Sequence, residues 1–330
     1  MKSQKIKIFV VVAAVVAVAA AVPHTGSFII LLVTRALAFS ILVMSLDILL
    51  GFTGLASMGQ AAYLGVSAYL TAILATRYQI GLGYDFWLVL VLGILLGAAL
   101  AAVFGLLAIR ASGVYFLMIT LALGQCVWGL AYRWNSLTGG DNGINLRERP
   151  RFGIDLSYDV TFFYVVLALF AASLLLMYVL VRSPFGKTLV GIRERELRMR
   201  ILGYNTWLHK YLAFIIAGGF GGLAGVLWAH TAGIVSPENL VLTTSVDALL
   251  MAVLGGAGTL VGGVIGAFIV FGLREYLSTV VPWWQYALGA VYVLTILYLP
   301  WGLMGIPERI RQRRLLGTKP VIPQKLGIPA

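Results

Sequence analysis

The chain has 330 residues, of which 61% are hydrophobic, and its mean hydropathy is +0.97. A helix that crosses a bilayer needs about 20 apolar residues, so this composition supplies about ten spans and excludes a soluble protein. Only 11% of the residues are charged, which excludes a disordered chain and leaves little material for a catalytic domain outside the membrane. The single cysteine excludes an intramolecular disulfide bond and a metal site built from several cysteines.

The net charge of +12 is concentrated in three short segments. Residues 1–7 carry a charge of +3, residues 182–210 carry +5, and the residues from 303 onward carry +5. Short basic segments that flank apolar spans mark the cytoplasmic side of a membrane. Hydrophobic spans separate the three segments, so they do not form the continuous basic surface of a nucleic-acid-binding protein.

Nine apolar segments predict the order of the spans. They are Ile6–Val22, Phe28–Leu50, Gln60–Thr76, Phe86–Ile109, Val114–Ala131, Val160–Val181, Tyr211–Ala232, Ser245–Gly272 and Trp283–Leu299. If the eighth segment is split at Gly255–Gly258, both termini lie in the cytoplasm with the basic loop. The predicted fold is an all-α polytopic membrane protein of about ten (roughly 8–10) transmembrane helices, with one broken glycine-rich helix pair near 245–276.

The predicted break and the first span each have a second interpretation. Irregular backbone at membrane depth is tolerated only where protein or a water-filled cavity covers it, so a break would mark the transport path. A tight glycine turn at the membrane surface explains the same residues. Residues 1–22 have the basic start, apolar run and small residues of a cleavable signal peptide. We expect them to be kept as an uncleaved first span.

The whole chain, residues 1–330, is predicted to form one transmembrane domain. Residues 134–159 form an extracytoplasmic loop, residues 182–210 a cytoplasmic loop, and residues 307–330 a basic cytoplasmic tail. In and beside the extracytoplasmic loop, four arginines balance four acidic residues, which explains how it can lie outside. A solvated connection is the default interpretation of that loop, and a docking surface for an extracytoplasmic partner is the alternative.

The cytoplasmic loop is predicted to contain a short amphipathic helix between Pro184 and Gly203. Its apolar residues form one stripe at helical spacing: Leu189, Ile192, Met199 and Leu202. Two acidic residues precede arginines by four positions, Glu194 before Arg198 and Glu196 before Arg200, which is the favourable order for ion pairs on a helix. The pattern alone is also typical of a helix that rests on an anionic membrane surface.

Six motifs follow one another along this hydrophobic scaffold. They are Gly54-Leu-Ala-Ser57-Met-Gly59-Gln60, Arg110-Ala-Ser-Gly113-Val-Tyr115, Thr138-Gly139-Gly140-Asp-Asn142-Gly143, Arg182-Ser-Pro-Phe-Gly186 with Ile192-Arg193-Glu194-Arg195-Glu196, Leu254-Gly255-Gly256-Ala-Gly258-Thr259, and Pro300-Trp-Gly302-Leu303. In this order they resemble the LivM-type permease subunits of ABC importers for branched-chain amino acids and related small solutes. The likeness covers residues 28 to 306, with Gln60 at a position where that family usually has histidine.

The resemblance implies that the 182–210 loop docks on an ATPase subunit. The implied coupling residues are Arg182, Gly186, Ile192, Arg193, Glu194, Glu196, Leu202 and Gly203. Arg198 and Met199 stand where the family has two alanines, which alters the helix face that would meet the partner.

The resemblance also implies partners and a location. It implies a multi-pass subunit of the bacterial inner membrane, two ABC ATPase subunits that use ATP, a related second permease subunit and an extracytoplasmic solute-binding protein. The chain has no Gly-x4-Gly-Lys-Ser/Thr phosphate loop. We therefore expect it to be no enzyme and to have no catalytic, cofactor-binding or metal-ligating residue of its own. Branched-chain amino acids, urea or amides, and aromatic acids all remain possible solutes.

Small and polar residues beside the predicted breaks are the candidates for the solute pathway. They are Gly54, Ser57, Gln60, Thr120, Gly255, Gly256, Gly258 and Thr259. Close helix packing and hydrogen bonds between helices explain the same residues without a solute. Gly51, Gly54 and Gly59 recur 204 residues later as Gly255, Gly258 and Gly263, which indicates either a duplicated element or coincidence.

Ionisable residues inside the spans are also candidates, because a charge at mid-bilayer is costly. Arg35, Asp47, Asp247 and Glu275 are placed there, and Arg35 is expected to pair with one of the aspartates. Two other classes of function stay open at this point. One is a stand-alone secondary transporter or facilitator whose cytoplasmic helix only rests on lipid, and the other is a membrane enzyme, against which the scarcity of paired carboxylates and histidines argues.

Overall fold

The computed structural model describes residues 22, 26–81, 83, 85–146, 151–152, 154–155, 159–280, 283–298 and 302–304. The predicted first span, apart from its last residue, and the predicted basic tail 307–330 lie outside the described residues. The predictions that concern them stay predictions.

Helices form almost all of this part of the chain. In chain order the helices are α1 (Ser27–Asp47, continued by the π-helical turn Ile48–Thr53), α2 (Gln60–Arg77), α3 (Phe86–Ala108), α4 (Val114–Arg133), α5 (Asn135–Thr138), α6 (Asp159–Arg182), α7 (Pro184–Ile201), α8 (Thr206–Ala232), α9 (Leu242–Gly255), α10 (Leu260–Val280) and α11 (Trp284–Tyr298). Short 3₁₀ turns lie at Gly140–Asn142 and Pro237–Leu240, and two-residue strands form β1 (Ile144–Asn145), β2 (Arg151–Phe152), β3 (Ile154–Asp155) and β4 (Ile234–Val235).

Within the described residues, six segments are long and apolar enough to cross a membrane: Ser27–Thr53, Phe86–Ala108, Val114–Arg133, Asp159–Arg182, Thr206–Ala232 and Leu260–Val280. The chain is therefore an all-helical, multi-pass membrane protein, as predicted, while the total of about ten spans stays a prediction. Helix α2 is largely buried, and α9 and α11 have 14 and 15 residues. These last two are shorter than the roughly 20 residues that a full crossing needs.

Helix α8 is the centre of the bundle, with α1, α2 and α3 packed against it. Its contact with α3 depends on small residues, because Gly97 of α3 faces the backbones of Gly218 and Gly222. Nearby, the Ser67 hydroxyl of α2 donates to the carbonyl of Gly93 at 2.8 Å. Small residues at helix contacts let two backbones approach closely, which is the main source of attraction between helices in lipid.

The bundle has two ends, which the 27-residue helix α8 separates by about 40 Å. At the loop end, Arg200 of α7 donates from Nε to the Thr206 hydroxyl at 3.1 Å. At the ladder end, β4 pairs with β1 in an antiparallel ladder. The described start of the predicted extracytoplasmic loop is thus held against the residues that follow α8.

We expect Gly218→Ala to destabilise the bundle and Gly219→Ala to leave it nearly unchanged. A methyl group on Gly218 would overlap Cβ of Ala101, whereas one on Gly219 would make ordinary contact at 3.6 Å with Ile94. Overpacking of this kind costs about 1–3 kcal/mol. Thermal unfolding of the two purified variants in one detergent measures the difference, and equal midpoints would contradict the description of the α3–α8 contact.

Candidate solute pathway and coupling surface

The start of α2 is buried among helices and has its backbone donors satisfied by hydroxyl groups. Three N–H groups donate to side chains from the preceding turn, α4 and α9: Gly59 to Ser57 at 3.3 Å, Met58 to Thr120 at 3.1 Å, and Ala61 to Ser245 at 3.0 Å. The first N–H groups of a helix have no partner within the helix. These hydroxyls therefore hold an irregular segment at a depth where water is scarce.

Gln60 lies at the centre of this group and is fully buried. Its Oε1 atom accepts a hydrogen bond of 3.3 Å from the Ser45 hydroxyl of α1. Its Nε2 atom is buried and has no hydrogen-bond partner among the described residues, so one amide group keeps spare donors inside the bundle. We call Ser45, Ser57, Gln60, Thr120 and Ser245 the polar cluster.

The polar cluster contains three residues predicted from the sequence and two that were missed. Ser57, Gln60 and Thr120 were candidates for the solute pathway, and the structure brings them together. Ser45 and Ser245 were missed, because a lone serine in an apolar span gives no signal that separates it from any other helix contact. All five side chains are almost completely buried, so a solute reaches them only if the surrounding helices separate.

Two irregular turns meet at the loop end of the bundle. One follows α1, and the other, Gly256–Thr259, separates α9 from α10. Gly51 packs directly on Gly258, because a methyl group on Gly51 would overlap the Gly258 nitrogen and Oδ1 of Asp47. Gly258 itself has a φ of +87°, a conformation that side chains disfavour. The two glycine runs that are 204 residues apart in the sequence are therefore neighbours in space.

The remaining predicted pathway residues lie in or beside these two turns. Gly54 faces Arg193, Gly255 packs against Gly262, and Gly256 faces Gly302. The Thr259 hydroxyl donates to the Gly256 carbonyl at 2.6 Å, which keeps it within its own turn. These residues thus shape the backbone of the two turns.

Two charged side chains join the turns. Asp47 is fully buried at the end of α1, and its Oδ1 atom accepts a hydrogen bond of 2.7 Å from the Gly258 N–H. Arg193 of α7 donates from Nη1 to the carbonyl of Gly51. We define the glycine junction as Gly51, Gly54, Gly256 and Gly258 together with the side chains of Asp47 and Arg193.

The expected pairing of Arg35 with an aspartate is wrong. Its Nε atom donates to the carbonyl of Thr231 at 3.4 Å, near the end of α8. Asp47 instead binds the Gly258 backbone, and Asp247 experiences the charge of Arg274 on α10. The correction has a simple geometric cause, since Arg35 lies toward the ladder end and Asp47 at the loop end of the same helix.

The loop helix α7 is present but broken, so the predicted single apolar stripe is wrong. Arg195 has φ −156° and ψ 96°, which interrupts the helix. Before the break, Leu189 and Ile192 are buried, whereas Leu202 beyond it is 65% exposed. The predicted ion pair between Glu194 and Arg198 is likewise absent between these two described residues, because the break at Arg195 lies between them.

The first half of α7 is held close to α6. The Ser183 hydroxyl accepts from the Gly186 N–H at 3.4 Å and so caps the helix. Gly186 has no room for a side chain, because a methyl group there would overlap the backbone of Val181. Arg182 stacks over the Tyr178 ring, with its guanidinium carbon 4.2 Å from the ring centroid.

The second half of α7 is fixed by Glu196, whose predicted pair with Arg200 is confirmed at 2.7 Å. The same carboxylate accepts from Lys210 at 2.5 Å and from the Thr206 hydroxyl at 3.1 Å. Partial burial raises the pKa of Glu196, but the hydrogen bonds from Lys210, Arg200 and Thr206 together outweigh it and lower the pKa below its ordinary value. Gly203, with φ +87°, then ends the loop.

The described residues form an all-helical, multi-pass bundle, and a basic surface loop contacts its irregular turns. This is the architecture of a membrane transport permease. The family model described as "Branched-chain amino acid transport system / permease component" matches residues 28–299. The chain belongs to this family.

Its relatives include permease proteins of different transport systems. The branched-chain amino acid permease protein LivM of Salmonella typhimurium is 31% identical over 295 residues, covering 82% of this chain and 68% of the relative. LivH of Escherichia coli is 28% identical, covering 52% of this chain and 55% of LivH. The guanosine ABC transporter permease protein NupQ of Bacillus subtilis is 28% identical, covering 47% of this chain and 50% of NupQ. No solved structure gives a significant match.

We expect Thr120→Val to destabilise the protein by about 1–3 kcal/mol, because it leaves the partly buried Met58 N–H without its acceptor. Thr71→Val is the matched control, since the equally buried Thr71 hydroxyl donates only to the Ser67 carbonyl in its own helix. Thermal unfolding in detergent compares the two variants. Equal losses of stability in the two variants would show that the hydroxyl contacts at the start of α2 do not stabilise the protein.

We expect Glu196→Gln to increase amide hydrogen exchange several-fold across residues 196–206 at pH 7, with Glu194→Gln as the control. Because the pKa of Glu196 is lowered, its contribution is present at neutral pH and is lost as the pH falls through that lowered value. Wild-type exchange, corrected for intrinsic rates, should therefore approach that of Glu196→Gln only in strong acid. Similar exchange in the two variants at pH 7 would show that Glu196 does not hold the loop.

Proposed function

We propose that this chain is the permease subunit of an ABC importer in the bacterial inner membrane. It forms the pathway for branched-chain amino acids or a related small polar solute. The observation that carries the proposal is the contact of Arg193, on the basic surface loop, with the glycine junction at the loop end of the bundle. A separate protein that binds this loop can therefore move the turns that interrupt the helices. A passive helical bundle needs such a connection if separate subunits supply the energy.

The proposed partners at the loop end are two ABC ATPase subunits. Beyond the break at Arg195, α7 and the following turn present Leu197, Ile201 and Leu202, each 65–79% exposed, among arginines. Exposed apolar residues with a charged rim are typical of a protein docking site. The ATPases would hydrolyse ATP, and this chain would use no cofactor of its own. The coupling residues remain those named from the sequence: Arg182, Gly186, Ile192, Arg193, Glu194, Glu196, Leu202 and Gly203.

A related second permease subunit and a solute-binding protein complete the proposed importer. LivM and LivH, both relatives of this chain, are named as permease proteins of one high-affinity branched-chain amino acid transport system. We therefore propose a second permease beside this one within the lipid bilayer. The solute-binding protein would deliver its cargo at the ladder end, where residues 134–159 form the extracytoplasmic loop.

The chemistry of the polar cluster favours a solute that is recognised by hydrogen bonds. Its hydroxyls and the Gln60 amide are uncharged, and the spare Nε2 donors of Gln60 point to an acceptor group on the solute. Hydrogen bonding of this kind suits an amino acid as well as a nucleoside, and the relative NupQ is named for guanosine. The proposed pathway residues are Gly54, Ser57, Gln60, Thr120, Gly255, Gly256, Gly258 and Thr259.

A stand-alone transporter or facilitator is the alternative function. It would need no ATPase, and α7 would rest on the anionic membrane surface through its arginines. The exposed Leu197 and Ile201 would then enter the lipid headgroup region. The two functions differ in whether the chain moves a solute without nucleotide, which a reconstitution experiment decides.

We expect proteoliposomes with this chain, its second permease, the ATPases and the binding protein to take up radiolabelled leucine only when ATP is supplied. Gly203→Pro should abolish this uptake, since proline fixes φ near −65° where Gly203 has +87°. Gly26→Ala, with open space around it, is the control. Membrane insertion of both variants should match that of the wild type.

If leucine uptake is absent, the same assay is repeated with the ligand that purified binding protein retains in a thermal-shift screen. Transport of any such solute by this chain alone, without ATP, would replace the importer with the stand-alone transporter.

A further inference from the structure

Arg193 contacts both irregular turns at once. Its guanidinium donates to the carbonyl of Gly51, at the end of the α1 helix. A methyl group on Gly54 would lie 3.1 Å from its Cγ, and a methyl group on Gly258 would lie 3.2 Å from its Nη1. One side chain of the surface loop thus packs against the turn after α1 and against the turn between α9 and α10.

The placement of this cation matches the electrostatics of the helix end. The last four carbonyls of a helix have no partner within it, and they carry partial negative charge. Gly51 is one of these carbonyls, since the π-helical turn ends at Thr53. A cation at such a position stabilises the end of the helix, so removing Arg193 would leave the turn after α1 less firmly held.

Asp47 provides the second connection across the same contact. Its carboxylate accepts a hydrogen bond from the Gly258 N–H. Gly51, whose carbonyl Arg193 binds, lies directly beside the Oδ1 atom of Asp47. The other oxygen of Asp47, Oδ2, is buried and accepts no hydrogen bond from the part of the chain that the structure describes. A buried carboxylate is costly unless opposite charge and hydrogen bonds compensate it. The Asp47–Gly258 contact therefore depends on Arg193 staying in place.

The helix α7 changes direction at Arg195, two residues after Arg193. Before it, Leu189 and Ile192 anchor the helix in the bundle, and after it, Leu197 and Ile201 are 70% and 79% exposed. A partner that moves the exposed half would rotate the chain about Arg195. After the break, Glu196 holds the second half of the helix to α8. Before the break, Arg193 is the nearest residue that contacts the glycine junction.

We propose that Arg193 is the positioning residue that transmits movement of the loop to the pathway, by holding the turn after α1 against the turn between α9 and α10 until the loop is displaced. This inference rests on the proposed importer function and names the residue through which the loop acts. Withdrawal of Arg193 from Gly51 removes the charge that compensates Asp47. The buried carboxylate of Asp47 is then uncompensated, which favours separation of the two turns so that water reaches it.

The first test needs no transport activity. Hydrogen exchange of the full chain in detergent is measured across residues 254–260, which contain the Gly258 N–H bound by Asp47. Arg193→Ala should increase exchange there at least fivefold, and Arg193→Lys, which keeps a cationic donor group, should restore most of the protection. Lys187→Ala, which removes an exposed basic side chain from the first half of the same helix, is the matched control and should behave as the wild type. Unchanged exchange in Arg193→Ala would overturn the proposal.

The second test measures leucine taken up per ATP hydrolysed in proteoliposomes of the complete importer. This ratio should fall at least tenfold in Arg193→Ala and stay at the wild-type value in Lys187→Ala, whereas a merely less stable protein would lower uptake and hydrolysis together. An unchanged ratio in Arg193→Ala would overturn the role of Arg193 while the importer function stands.

Two further outcomes also have a defined interpretation. If the wild type shows no ATP-driven uptake but exchange across residues 254–260 depends on Arg193, the importer function fails and the contact itself stands. If Arg193→Ala does not accumulate in the membrane, Arg193→Gln, which keeps a donor without the charge, is measured in its place against the same outcomes.

Discussion

The rest of this structure depends on one constraint: a polypeptide that leaves helical geometry inside a membrane must satisfy its backbone groups without water. The chain meets this constraint at the buried start of α2, and side chains again satisfy backbone groups at the partly exposed glycine junction. At the start of α2, hydroxyl groups from the preceding turn, α4 and α9 accept the free N–H groups. At the glycine junction, one carboxylate and one guanidinium bind backbone groups of Gly258 and Gly51. The two breaks are therefore stable only while the surrounding helices stay where they are, so a shift of those helices acts on the breaks directly.

Glycine has two different tasks in this bundle. Between α3 and α8 it lets two long helices approach along their length, as at Gly97 and Gly218, which gives the scaffold its rigidity. At the junction it lets two turns touch, as at Gly51 and Gly258, where a side chain on either residue would hold them apart. The contact between α3 and α8 is extensive, whereas the contact at the junction consists of a few backbone atoms and the side chains of Asp47 and Arg193. Movement is therefore expected at the junction, while the α3–α8 pair stays intact.

The family and the structure address different parts of the function. Membership in the permease family identifies a transport subunit, and relatives named for amino acids and for guanosine show that one fold serves chemically different solutes. The uncharged polar cluster is consistent with such breadth, because hydroxyl and amide groups bind many partners. The basic loop has a more specific arrangement, with its first half anchored beside the junction and its second half exposed and held by Glu196.

The sequence by itself determined the helical membrane class, most of the span boundaries, the basic loop and its resemblance to a permease family, because hydropathy, charge and short motifs are local properties. It named Ser57, Gln60 and Thr120 as polar candidates, which the structure brings together, and it predicted the ion pair between Glu196 and Arg200. Only the tertiary structure decided that Ser45 and Ser245 join the polar cluster, that Arg35 binds Thr231, and that α7 breaks at Arg195. These outcomes depend on which helix faces meet, and neither a serine in an apolar span nor an arginine on a surface helix carries a local sign of its distant partner.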